Sequence, residues 1–371
     1  MNETIPLCPP TIDEKDIEAV VKALKSGWLA HGECNEKFED AFARYTGTKF
    51  ALSLNSCTSA LELALWACDI RGEVIVPSFT WVSTVNVVAL QGCTPVFADI
   101  DLNTFCLDIK DVEAKITPQT EAIILVHYAG LATKLREFKE LADKHSLLLI
   151  EDSAEAIGAT DKSVVSGSIG LGCFSFYPTK NMTTCEGGML TTNDELIYRR
   201  SKALSAHGIY KSASDRERLK GREKWMREAS EPGRNFRMPN PLAAMGITQL
   251  EKLDQMNDAR RSIADVYRES FEAIPDLRVQ AEPSGCKHVY QMFPVVVSNK
   301  SKVIDKLNAL GIMASSHFDP PVHQQEAFER WRSFDLPNTE LISSSVVTLP
   351  IFPSMSASQV KSVCKALHGI S

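Results

Sequence analysis

At 371 residues the chain has room for about two or three units of ordinary domain size, and its 44% hydrophobic and 23% charged content contains no biased tract. A formal net charge of −7 argues against nucleic acid, which asks for a basic face, and leaves only a local basic pocket for an anionic substrate. The N-terminal MNETIPLCPPTIDEKD lacks signal-peptide features, no run reaches the ~20 apolar residues of a membrane span, and ten scattered cysteines without a C-x-x-C pair read as reduced thiols of a cytoplasmic protein.

TIDEKDIEAVVKALKSG predicts a first helix. Thr11 or Asp13 can cap it, Gly27 ends it, and Ile17, Val20, Val21 and Leu24 share one face. NEKFEDAFARYTG predicts a second, stopping at Gly47. Strands and helices then alternate. KFALSLNS, EVIVPS, TPVFADID, EAIILVHYAG and LLLIEDSA read as strands; CTSALELALWACD, TWVSTVNVVALQG and KLREFKELADKHS read as helices. This rhythm, with nearly continuous apolar strands, implies an α/β fold whose mostly parallel sheet is covered on both faces. GCFSFYP and GGMLTTN add two strands, and a helix runs from Asp194 to Ala206. Residues 208–233 are charged and mixed in sign, as in a solvated loop or lid; Lys211, Lys220, Arg222 and Lys224 lie there. PNPLAAMGITQLEKLDQMNDARRSIADVYRESFEAI predicts one long helix. Beyond it, VYQMFPVVV and SVVTLPIF read as strands, KVIDKLNALG and SASQVKSVCKALHG as helices, which together make a small α+β unit.

Ligands of open α/β sheets gather at the carboxyl ends of the strands. Three polar clusters fall there: Asn55–Ser59, Glu151–Glu155 and Ser175–Lys180. Lys180, in SFYPTKNMTTCEGG, is the unusual member. It is no phosphate-loop lysine, because Thr179 stands where that loop needs its second glycine and Asn181 where it needs a hydroxyl. A covalent anchor for pyridoxal phosphate needs three helpers: a carboxylate for the ring nitrogen, donors at a helix start for the phosphate, and an aromatic face. Asp152, at the end of an apolar strand, suits the first; Cys57, Thr58 and Ser59, opening a helix, suit the second; Trp81 suits the third. Each also has a plain structural reading, as a turn carboxylate, an N-cap and a core ring.

The order of these segments resembles the sugar aminotransferases of DegT/DnrJ/EryC1/StrS type, which use pyridoxal phosphate on the aspartate-aminotransferase-like fold (fold type I). The matching stretches are SGWLAHG (26–32), NSCTSALELAL (55–65), IVPSFTWVSTVNVVALQGCTPVFADID (75–101), EDSAEAIGA (151–159), SFYPTKNMTTCEGGML (175–190), HGI (207–209), RNFRMPNPLAAMGITQLEKLD (234–254) and LPIFPSM (349–355). The resemblance implies a large cofactor-binding domain over 1–250 and a small C-terminal domain over 251–371. It implies that Lys180 forms the Schiff base and later moves the proton, that Asp152 binds the pyridine nitrogen and that Trp81 stacks on the ring. Thr58, Ser59 and Ser175 would hold the phosphate, and Asn235 would reach the phosphate of the neighbouring subunit of a homodimer. Family members usually carry Gln or His where this chain has Glu155, near the cofactor's phenolic oxygen. They usually carry glycine where it has Cys185, a change the turn is expected to tolerate.

The activity implied is a ping-pong transfer of an amino group from an amino acid, glutamate being the expected donor, to a keto sugar. A nucleotide-linked keto sugar of polysaccharide or amino-sugar biosynthesis is the expected acceptor, its anionic handle facing the basic residues of 211–227 with Arg234 and Arg237. A free acidic keto sugar would ask for the same charges. A sugar dehydratase of this fold would carry histidine in place of Lys180, and a non-catalytic sugar-binding protein would not need the Lys180–Asp152 pair. No metal is expected. His207, His317 and His323 stand near the rim and read as structural rather than catalytic.

Overall fold

The computed structural model describes residues 4–210, 220–221, 225–332 and 335–370. Helix α1 (Glu14–Lys25) starts at Asp13, the cap that is used. The Asp13 carboxylate accepts from the Asp16 N–H, and Asp16 accepts from the Asp13 N–H, a reciprocal box. The expected apolar face of α1 is not covered by the chain. Ile17, Val21 and Leu24 are exposed, while Asp16 and Ala23 are buried. The reason is electrostatic. Asp16 accepts from Lys252 Nζ at 2.6 Å and Gln249 Nε2 at 2.7 Å, which turns the polar side of α1 inward. Helix α2 (Glu33–Thr46) ends at Gly47, whose φ of 73° closes it in the left-handed region.

Nine strands follow: β1 (Phe50–Leu54), β2 (Glu73–Pro77), β3 (Thr94–Ala98), β4 (Thr120–Val126), β5 (Leu148–Asp152), the short pair β6 (Thr160–Asp161) and β7 (Val164–Val165), then β8 (Leu171–Ser175) and β9 (Gly188–Thr192). Seven of them form one sheet in the order β1-β9-β8-β5-β4-β2-β3. The pairs β3–β2, β2–β4, β4–β5 and β5–β8 are parallel; β9 runs antiparallel to both β8 and β1. The chain adds β3 on one side of β2 and β4 on the other, so the order reverses there and a crevice opens at the carboxyl ends. Helix α3 (Cys57–Ala67) starts just past β1 and helix α4 (Val82–Leu90) just past β2. With Leu61, Leu63, Ala64 and Leu65 all buried, α3 is a core helix.

The expected long helix is two. Residues Asn240–Glu251 and Leu253–Phe271 are separate helices, broken at Lys252, whose φ and ψ are −107° and 2°. The break falls where the Lys252 ammonium holds both Asp13 and Asp16 of the α1 cap. Downstream, β10 (Arg278–Val279) lies against β12 (Phe293–Val296), which pairs with β13 (Val346–Leu349); the two-residue β11 (Cys286–Lys287) joins β6. Helices Lys300–Ala309 and Ala357–His368 complete a second core around Phe293, Val347, Leu349 and Val363. Ile5, bridged to Ile312, belongs to this core. The strand expected at VYQMFPVVV begins only at Phe293, because the chain turns at Tyr290, with φ of 43°. No helix among the described residues is long and apolar enough to cross a membrane.

Candidate active site

A cavity of about 500 Å³ opens at the carboxyl ends of β1, β2, β4, β5 and β8. Its walls include Ser56, Cys57, Thr58, Trp81, Asp152, Glu155, Ser175, Lys180, Gln291 and His317. The three polar clusters, far apart in sequence, therefore meet on one rim.

Strand alternation assigns the two acids that end β5. Glu151 is fully buried on one face, where its carboxylate accepts the N–H groups of Gly167, Ile169 and Gly170 and lies 3.1 Å from His127 Nε2. It organises the turn before β8. Asp152 faces the cavity. It accepts from Thr84 Oγ1 at 2.8 Å and from the Ala154 N–H at 3.2 Å, and no lysine or arginine among the described residues pairs with it. Burial pushes its carboxyl above the usual aspartate range, against the pull of those two hydrogen bonds. A cationic N–H arriving at Asp152 would relieve that cost.

Lys180 sits in the connection between β8 and β9, and its neighbours are pinned. Asn181 Nδ2 donates to Asn257 Oδ1 at 2.7 Å and to Val289 O at 3.0 Å; Gln291 Nε2 donates to Thr179 O at 2.9 Å. Held on both sides, Lys180 places Nζ 3.2 Å from Glu155 Oε1. Glu155 Oε2 accepts from the Ala129 N–H at 2.8 Å. Gly188 is required here, since a Cβ on it would collide with the Ser56 backbone at the start of α3. Cys185 takes φ of 66°, the left-handed conformation a glycine would hold without strain.

Ser56 caps α3, its hydroxyl accepting from the Ser59 N–H at 3.1 Å. Ser56, Cys57 and Thr58 line the cavity; Ser59 does not, and its hydroxyl donates to Asn55 Oδ1 at 2.7 Å. Burial raises the Cys57 thiol well above its ordinary value, so it stays protonated beside Asp152. Ser175 lines the same wall. Trp81, the residue before α4, is 63% exposed at the mouth, not in the core. Asn235 is exposed and is not part of this chain's cavity; it accepts from Arg237 Nε at 3.0 Å, and Arg237 Nη2 lies 3.3 Å from His207 Nε2. Arg234 is drawn off to Glu62, at 3.2 Å. Of the lid residues, Lys211, Arg222 and Lys224 lie outside the described residues, and Lys220 is exposed.

Several residues of the site were not singled out from the sequence. Thr84, buried behind the wall as the partner of Asp152, could have been found as the hydroxyl one turn after Trp81. Gln291, Met292 and Phe318 come from connections beside the second core, Met292 and Phe318 packing with Phe79 and Tyr128, and could not. His317 stands in the wall with Nδ1 2.7 Å from Thr348 Oγ1, and burial keeps its ring toward the neutral side. His323 is buried between Ser78 Oγ at 2.6 Å and Glu340 Oε1 at 3.1 Å. That Ser–His–Glu line is a brace and no hydrolytic triad, because Ser78 is fully buried.

The donor set fits pyridoxal phosphate. Asp152 offers a carboxylate to a ring N–H, Lys180 an amine to an aldehyde, the start of α3 hydroxyls and a helix N-terminus to a phosphate, and Trp81 an aromatic face. Comparison with known proteins agrees. The profile of the DegT/DnrJ/EryC1/StrS aminotransferase family matches residues 10–368. The spore coat polysaccharide biosynthesis protein SpsC of Bacillus subtilis is 37% identical, over 100% of this chain and 97% of its own. The sugar aminotransferase Spr1654 of Streptococcus pneumoniae in its PLP-form superposes with a TM-score of 0.91 at 28% identity, covering 99% of this chain and 98% of that one. DesI, described with its TDP-sugar product, superposes with a TM-score of 0.88 at 29% identity, covering 99% and 93%. With the profile running almost end to end and the cavity furnished for its cofactor, the chain belongs to the DegT/DnrJ/EryC1/StrS aminotransferase family.

Proposed function

We propose that the protein moves an amino group from an amino acid, glutamate first, to a nucleotide-linked keto sugar, with pyridoxal phosphate held at Lys180. The observation that carries this reading is the single cavity shared by Lys180, Asp152, Trp81 and the start of α3. When bound, the cofactor supplies the electron sink that receives the pair released as the donor's α-carbon–hydrogen bond breaks. Lys180 Nζ takes that proton and returns it on the other side of the transfer. Asp152 keeps the ring N–H charged. Thr58 and Ser175 hold the phosphate with the amides of α3, and Ser59 acts through the cap instead of its hydroxyl. Trp81 covers one face and keeps water from it.

The acceptor is assigned by analogy with DesI, and the cellular route by analogy with SpsC. Asn235, exposed and outside the walls of its own cavity, would serve the partner's site. The exposed Ile12, Ile17, Val21, Leu24, Trp28 and Leu29 supply an apolar surface for that homodimer. The unit over 1–250 would then carry the cofactor, with 251–371 closing over it. Ten unpaired thiols suit the cytoplasm. The test is a screen of keto sugars against the amino-charged form of the enzyme. Rapid discharge by nucleotide-linked sugars supports the assignment; discharge only by free acidic sugars replaces it.

A further inference from the structure

Glu155 is a buried carboxylate in the cavity wall beside Lys180. Its Oε1 lies 3.2 Å from Lys180 Nζ, and its Oε2 is fixed by the Ala129 N–H at 2.8 Å. Ala129 is in the left-handed region, with φ of 59°, and its turn is locked from outside: Val289 N donates to Gly130 O at 3.0 Å and Gln291 N to Ala129 O at 2.9 Å. The carboxylate is therefore oriented by backbone, with Oε1 left to Lys180. The ionisable groups that face Glu155 are Lys180, Asp152, Cys57, Tyr128 and His317. Asp152 is an acid. Burial keeps Cys57 and Tyr128 protonated and His317 on the neutral side, which leaves Lys180 as the cation that balances Glu155.

We propose that Glu155 is the proton partner of Lys180, pairing with its ammonium before the cofactor is loaded and taking a proton from Nζ as it is loaded. The inference rests on Lys180 being the anchor. One amine proton passes to Glu155 Oε1, and the neutral amine attacks the aldehyde carbon. The carbon–nitrogen bond forms, the carbonyl oxygen leaves as water with the two remaining amine protons, and the ion pair becomes two neutral groups. A buried carboxylate is thereby never left without a partner, and the protonated Glu155 becomes a hydrogen-bond donor toward the cofactor.

The experiment counts protons. Cofactor-free protein is titrated with pyridoxal phosphate in weak buffer near neutral pH, following absorbance and proton exchange together. Wild type is expected to retain about one proton more per site than Glu155→Gln. Infrared difference spectra of the wild type alone provide a second reading: a protonated carboxyl band appears on loading and shifts in protein made with isotope-labelled glutamate. Equal proton counts, or no such band, overturn the role of Glu155. A wild type that takes up no cofactor overturns the anchor itself, so the two failures are distinct.

Discussion

Asp152 and Glu151 are adjacent acids with opposite duties, and strand alternation separates them. Glu151 is satisfied by three backbone N–H groups, whereas Asp152 waits with a carboxyl raised by burial. A raised acid stabilises the fold most below the ordinary aspartate value, and that contribution is lost as pH rises through the raised value. Asn cannot lose it. Unloaded Asp152→Asn should therefore exceed its parent in stability at neutral pH, with the gap closing toward about pH 4. Denaturant unfolding across pH checks this. With cofactor present the order should reverse, because only the carboxylate holds the ring N–H. Cys185 makes a second point at this scale. Its left-handed φ of 66° suits glycine, so Cys185→Gly should be close to neutral, while β-branched Cys185→Val should cost about 1–2 kcal/mol in the same unfolding assay.

Among the elements, the junction of β9 with α3 is the least forgiving. Gly188 lies against the Ser56 backbone, and the start of α3 is the proposed phosphate seat. Gly188→Ala should cost about 2–3 kcal/mol and weaken cofactor binding, measured by unfolding and by equilibrium dialysis. The α/β order was legible because buried parallel strands are apolar throughout and their ends turn polar. The rim rule then gathered Lys180, Asp152, Thr58 and Ser175 without any contact being known. Other features were not legible. Whether Ser56 or Ser59 faces the cavity depends on the phase of a helix start, and the stretch NSCTS offers hydroxyls on both sides. The break at Lys252 depends on Asp13 and Asp16, over two hundred residues earlier. Gln291 and His317 enter the site only because the second core folds back onto the rim. What covers the outward apolar face of α1 was not legible either, because apolar residues at helical spacing do not name their partner.

At the scale of the whole molecule, that face and Asn235 support the proposal that a second copy would complete the site. Leu24→Glu should turn the dimer into monomer in sedimentation velocity. Mixing Lys180→Ala with Asn235→Ala subunits, each inactive alone, should restore about a quarter of wild-type activity, since about half of the dimers would be mixed and only one of two sites in each mixed dimer is whole. All of this chemistry turns on Lys180 as the anchor. Borohydride reduction of cofactor-loaded protein, followed by peptide mass mapping, identifies the lysine that carries the cofactor. The reduced cofactor is expected on Lys180 alone, with no adduct in Lys180→Ala. An adduct on another lysine, or none in the wild type, would contradict it.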